Sequence, residues 1–393
     1  MNRCVLILVL LTGWPLLAQA EWSGSFSLEG LGFSEHGNEA IQEDQAFSLA
    51  ISPEYYREWR QGDMSLTFRP FYRYDATDDE RTHFDIRELT WQMVADRWEL
   101  RLGVRKVFWG VTESVHLVDI INQTDLVENP DGEQKLGQAM ANFAWIGDWG
   151  TLDLFLLPGF RERSFPGEEG RLRSSPRVLA HAARYESDEE EQHIDWAVRY
   201  SHSLGIWDLA LSHFRGTSRD PLFVPHEYEN VDLAAYYAQI YQTGLELQAA
   251  IGGWLLKTEA VYRNGPQTEA YSSLVSGFEY TFGNVGGTGL DVGVLTEYIY
   301  DQRGTAADTP YSRDIFAGTR LALNDVAATE VLIGAVVDTG GGGTFFNLEA
   351  ERRFRNGWKL SLENRVFTGT SHGDPLHPFR DEDHARLVLK RFF

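Results

Sequence analysis

The chain has 393 residues, of which 43% are hydrophobic, 13% aromatic and 24% charged, and its formal net charge is −23. That acidic balance excludes a nucleic-acid binder, which needs a basic footprint. After residue 20 no charge-free apolar run reaches the roughly 18 residues of a helical membrane span, which leaves open a membrane β-barrel, whose strands alternate and stay polar on average.

Residues 1–20 begin Met-Asn-Arg, continue as an apolar run from Cys4 to Leu17, and end Ala18-Gln19-Ala20. A basic start, an apolar centre and a small-x-small end predict a cleaved secretory signal peptide. Cleavage removes the only cysteine, so the mature chain is expected to have neither disulfides nor thiol chemistry. Residues 21–393 then form one domain.

From Trp22 onward the pattern has period two. In Met64–Asp75, Met64, Leu66, Phe68, Tyr72 and Tyr74 oppose Ser65, Thr67, Arg69, Arg73 and Asp75. Leu100, Leu102 and Val104 oppose Glu99, Arg101 and Arg105. Thr151–Arg163 sets Leu152, Leu154, Leu156 and Phe160 against Asp153, Arg161 and Arg163, and Trp358–Phe367 repeats the scheme. Successive strand residues point to opposite faces, so each run has one apolar and one charged face. A soluble sandwich and a barrel in lipid both use such strands, and the connections decide between them.

About eighteen strand candidates can be counted, with sixteen as the other even number in range. Their links alternate short and long. Gln61-Gly62-Asp63, Asp96-Arg97, Gly147–Gly150, Gly252-Gly253, Asn324-Asp325 and Arg355-Asn356-Gly357 are short; His36–Asp44, Ala76–His83, Ser114–Gln138, Pro166–Gln192, Gly216–Asp232, Gly304–Arg313 and Ser371–Asp383 are long. Short periplasmic turns opposite long extracellular loops are the pattern of an outer-membrane barrel. Trp22, Trp59, Trp98, Trp149, Trp207, Trp254 and Trp358 fall at the short-turn ends, as an interfacial aromatic girdle requires. The fold class is therefore all-β, a transmembrane antiparallel barrel.

The chain ends in a strand, His384–Phe393, with Phe393 last and Ala385, Leu387 and Leu389 at alternate positions. This resembles the terminal signature by which bacterial outer-membrane barrels are read for assembly, with Arg391 as a departure where an apolar residue is usual. With the signal peptide and the turn pattern, the whole mature chain resembles a Gram-negative outer-membrane barrel of the porin type. The resemblance implies passive transport, outer-membrane lipid and lipopolysaccharide as surroundings, the barrel-assembly machinery as a partner, and a homo-oligomer. It matches no solute-defined porin family. Strands begin near Trp22, which leaves no plug domain of the kind found in TonB-dependent receptors.

A barrel of this size is too wide for its side chains to fill. Ser114–Gln138 holds Val115, Leu117, Val118, Ile120, Ile121, Leu126 and Val127, too apolar for a solvated loop. It is expected to fold into the lumen and narrow it, as in the porins it resembles. Its Asp119, Asp125 and Glu128 would face Arg69, Arg73, Arg101 and Arg105 of the wall and set a transverse field. The other reading is that these arginines only pair with lumen acids. Phe108-Trp109-Gly110, entering the loop, reads as an interface anchor followed by a bend.

Outside the lumen, Glu186-Ser187-Asp188-Glu189-Glu190-Glu191 reads as a solvated extracellular loop, with divalent-cation binding as the sharper alternative. His372, Asp374, His377, Asp381, Asp383 and His384 could ligate zinc by type, but their spacing fits no motif. No Gly-x-Ser-x-Gly, His-Glu-x-x-His or P-loop is present. Ser201-His202 and Ser212-His213 are adjacent in strands, so neither pair can form a dyad. The expectation is a channel for passive diffusion of small polar solutes, not an enzyme, with no cofactor or metal. The alternatives are a non-conducting assembly or export scaffold and a rim-located hydrolase.

Overall fold

The computed structural model describes residues 20–226, 232–307, 309–371 and 373–393. The expected signal peptide lies outside the described residues except for Ala20, which opens the first strand. The strands are β1 (Ala20–Phe33), β2 (Gln45–Trp59), β3 (Met64–Asp75), β4 (His83–Ala95), β5 (Trp98–Arg105), β6 (Gln138–Gly147), β7 (Gly150–Pro158), β8 (Val178–Tyr185), β9 (Ile194–Leu204), β10 (Trp207–Thr217) and β11 (Leu222–Pro225). They continue as β12 (Leu233–Tyr237), β13 (Gln239–Ile251), β14 (Trp254–Asn264), β15 (Tyr271–Phe282), β16 (Asp291–Asp301), β17 (Arg313–Ala322), β18 (Glu330–Asp338), β19 (Thr344–Phe354), β20 (Trp358–Thr368) and β21 (His384–Phe392).

Eighteen of these form one sheet, each paired antiparallel with the next in the chain. Pairing of β1 with β21, from Ser25↔Phe392 to Phe33↔His384, closes the sheet into a barrel. Closure satisfies the strand backbone and leaves no edge. β8, β11 and β12 stand apart as a small sheet built from two of the long connections.

Burial is reversed relative to a water-soluble protein. Phe47 is 62% exposed, Tyr74 50% and Ile333 48%, whereas Glu259 and Asp195 are 0% exposed and Arg365 3%. Apolar side chains on the outside and charges inside are what a bilayer solvent selects. The short links predicted from sequence are tight turns except at Asn324-Asp325, where β17 ends at Ala322 and β18 begins at Glu330, so that residues 323–329 form the link. Asn356 and Gly357 both hold positive φ, 64° and 72°, the conformation that Asn-Gly turns favour. One further short link, Gly205-Ile206, lies on the same side, as does the eight-residue connection 283–290.

Two local readings need correction. β7 ends at Pro158, so Phe160, Arg161 and Arg163 are not strand residues; Gly159 turns the chain there with φ 81°. Between Arg69/Pro70 of β3 and its partner strand the register shifts by one, which leaves Arg87 as an extra residue in β4. A bulge of this kind breaks the two-residue alternation. It brings Asp85 and Arg87 to the lumen alongside Glu88. On the other flank of β3, the ladder with β2 skips from Ile51↔Tyr72 to Tyr55↔Phe68, where Pro53 and Pro70 supply no N–H.

Candidate functional site: the barrel lumen

The connection between β5 and β6, residues 106–137, folds inside the barrel. Two wall carboxylates hold its backbone. Glu259 of β14 accepts hydrogen bonds from Val111 N–H (2.7 Å), Thr112 N–H (3.0 Å), Thr112 Oγ1 (2.6 Å) and Val118 N–H (3.3 Å). Glu297 of β16 accepts from Glu113 N–H and Ser114 N–H, each 2.8 Å, and from Ser114 Oγ at 2.6 Å. On the opposite side Arg73 of β3 forks onto Glu128 with two 2.8 Å bonds. Arg365 of β20 donates to Asn129 and Asp131, again at 2.8 Å. In ring order β3 and β20 lie far from β14, so the segment crosses the bore.

Apolar contacts complete the seating. Val118, Ile120, Ile121 and Trp109 pack on lumen-facing Met140, Phe155, Leu157, Phe214, Ile240 and Val261. Val115 and Leu117 pack on Val275, Leu295, Ile299, Phe316 and Val336. The inner face of β6 through β18 thus carries apolar patches between its anchoring carboxylates, and the loop covers them. Trp109 is 3% exposed and meets Phe155 edge-on at 5.6 Å. It is a lumen core residue, not an interface anchor. The bend at Gly110 is present: φ is 143°, and a Cβ there would meet Glu259 Oε1 and His116 Nδ1, each at 3.0 Å.

The residues singled out from sequence do not form one constellation. Glu128 meets Arg73. Asp125, 0% exposed, meets Arg87 at 2.6 Å and accepts from Ser164 Oγ at 2.6 Å. Asp119 turns into its own loop, 3.2 Å from Lys135 and 3.3 Å from Trp109 N–H. Arg69 pairs with Glu54 and Glu88, and Arg101 with Glu99. Arg101 and Arg105 share Asn142 Oδ1, at 3.1 and 2.8 Å. The three loop acids are therefore buried and paired. Asp131 and Glu133 at the loop tip, and Lys106 and Phe108 at its start, are exposed instead. Sequence reasoning missed Arg87 because the bulge hid its face. It missed Glu259, although the alternation Lys257, Glu259, Val261 and Arg263 already places it inward.

His116 sits between two carboxylates, its Nε2 3.1 Å from Glu133 and its Nδ1 3.8 Å from Glu259. Burial disfavours the imidazolium, yet these two acids outweigh it and raise its pKa to about 10. The hydrogen bond to His116 holds Glu133 below the usual carboxylate range. Burial raises the carboxyl of Asp119 despite Lys135. For Glu128 burial acts in the same sense, but Arg73 prevails and lowers it.

An architecture of eighteen antiparallel strands closed on themselves, with one loop folded across the bore, decides the fold. It is a porin-type β-barrel. No family model and no curated protein matches the sequence. Among solved structures the chain is similar to a BenF-like porin from Pseudomonas fluorescens Pf-5, at 10% identity and a TM-score of 0.56, covering 97% of this chain and 100% of that one. A mutant of a Rhodopseudomonas blastica porin aligns at 12% identity and a TM-score of 0.47, covering 95% of this chain and 100% of that one. Among the described residues no group of three or more His, Cys, Asp or Glu could hold a metal ion. His372 of the possible zinc cluster lies outside the described residues.

Proposed function

We propose that this porin-type barrel is a bacterial outer-membrane channel for passive diffusion of small polar solutes through a lumen narrowed by residues 106–137. The observation that carries the reading is the tethering of that segment to opposite walls, by Glu259 and Glu297 on one side and by Arg73 and Arg365 on the other. A segment held at both ends across a bore leaves a restricted passage rather than a free pore. Charges beside it stay accessible to water. Arg69, with 39% of its side chain exposed, shares the β3–β5 wall with Arg101, Arg105 and Lys106. Asp131 and Glu133 of the loop tip are exposed as well, Asp131 beside Arg365 of β20 and Glu133 beside His116. The water-accessible remainder of these pairs is what the passage offers a solute, and the field between the arginines of the wall and the acids of the loop tip would order water and sort solutes by charge and dipole. In this reading Asp119, Asp125, Glu128 and Arg73 are anchors, Arg69, Arg101 and Arg105 are selectors, and Asp131 and Glu133 do both, being exposed while paired with Arg365 and His116.

The test is single-channel recording of the refolded mature protein under a salt gradient. Discrete steps with a definite reversal potential are expected. Exchanging Asp131 for Asn and Glu133 for Gln should move that potential toward anions. Folded protein that never conducts would reject the channel and favour a scaffold.

A further inference from the structure

A second segment crosses above the inner loop. Residues 159–177 leave β7 and reach, progressively farther round the ring, the connections β3/β4, β1/β2 and β20/β21. Gly167 N–H donates to both oxygens of Asp78, at 3.1 and 3.2 Å. Gln42 Nε2 donates to the Gly170 carbonyl at 2.8 Å. Arg173 pairs with Glu39. The central contact is Arg171. Its Nε lies 3.1 and 2.9 Å from the two oxygens of Glu382. Its Nη2 donates to the Asp381 carbonyl at 2.8 Å, and its Nη1 to the Glu35 carbonyl at 3.0 Å and Asp44 at 3.5 Å. The guanidinium also stacks 4.0 Å over the Phe33 ring. The side chains of Arg171 and Glu382 are only 4% and 5% exposed.

The segment is fastened differently along its length. Phe160 and Phe165 at its start, and Val178 just past its end, belong to one apolar cluster with Ala235 and Tyr237. Between them, residues 166–177 contribute to no apolar cluster among the described residues; polar and ionic contacts hold them to the rim. A stretch with few buried apolar contacts opens locally at low cost while its ends stay fixed.

We propose that residues 166–177 are a lid over the lumen, latched by Arg171 in the slot formed by Glu382, the Asp381 and Glu35 carbonyls and Phe33. Withdrawing that side chain removes the one deeply buried ionic anchor of the strap, leaves the contacts of Gly167, Gly170 and Arg173 to hold its middle, and keeps both hinged ends in place. The proposal rests on the channel reading above. It is tested by planar-bilayer recording of refolded wild type, Arg171→Ala and Glu382→Gln, with folding checked by heat-modifiable mobility. A further form, Arg173→Cys with Glu39→Cys, is joined by a thiol cross-linker that ties the strap to the rim. Loss of a buried charge-assisted clamp shifts such an equilibrium by about tenfold or more. Arg171→Ala should therefore raise the ratio of open to closed dwell time by about that factor. Glu382→Gln should act in the same direction but less, and cross-linking should suppress openings until the linker is cleaved. Equal dwell times in wild type and both single variants, or unchanged openings after cross-linking, would overturn the lid and leave the channel standing. Folded protein silent in every form would overturn the channel itself. If Arg171→Ala does not fold, Glu382→Gln and the cross-linked form decide the question.

Discussion

Arg87 and Glu259 show how much rests on single side chains in this lumen. Arg87 is 6% exposed and pairs with the fully buried Asp125. Removing it strands a buried charge, which costs about 3–5 kcal/mol. Arg87→Ala should thus lower the thermal stability of the folded barrel, read by the temperature of its mobility shift, whereas exchange of the exposed Glu269 for Gln should not. Glu259→Ala would leave the Val111 and Thr112 amides without their acceptor, at about 1–3 kcal/mol for each group. The expected readout is a noisier channel with the barrel intact, because the loss falls on the loop's seat and not on the wall. His116 adds a pH dependence. Its pKa is raised from the ordinary 6.5 to about 10, so its contribution is complete below 6.5 and fades as pH rises through 10. Glu133 is lowered, so its share is present above the ordinary carboxylate value and is lost as pH falls below it. Current noise should accordingly be smallest between those limits and grow above about pH 10; a flat noise profile across that range would count against the His116 clamp.

At the level of elements, strands and loops answer to different rules. A strand in lipid must alternate, and the alternation read from Met64–Asp75, Trp98–Arg105 and Trp358–Phe367 survives in the barrel. It fails where a bulge adds a residue, at Arg87, and where a run that looks alternating is in fact a loop, from Phe160 to Arg163. The inner loop is set by its entry. Gly110 has φ 143°, and a side chain there would press on Glu259 and His116. Gly110→Val should therefore unseat the loop without disturbing β5, and the expected result is a larger, less selective conductance in a protein that still folds.

The whole molecule is completed by one seam. Phe393 and Gly24 exchange backbone hydrogen bonds of 3.0 and 3.1 Å beside the β1–β21 ladder. That contact joins the two ends of the chain, so it is among the most non-local in the fold, and non-local pairings form slowly. Deleting Phe393 should lower the rate and yield of folding into the heat-modifiable form more than it lowers the stability of molecules that do close.

The sequence by itself determined the class, a strand number near eighteen with sixteen still open, most of the short turns and the apolar character of the inner loop. These follow from local periodicity, turn chemistry and the demand that lipid makes on every strand. Only the tertiary structure decided which charges meet. Pairing across a bore joins residues far apart in the chain, such as Glu128 with Arg73 and Asp131 with Arg365, and no local pattern encodes that distance. It also decided that the inner face of β6 through β18 presents apolar patches beside Glu259 and Glu297 where the loop lies on it. Closing the ring set the apolar face of each strand outward and brought the scattered apolar residues of the inner face together under the loop.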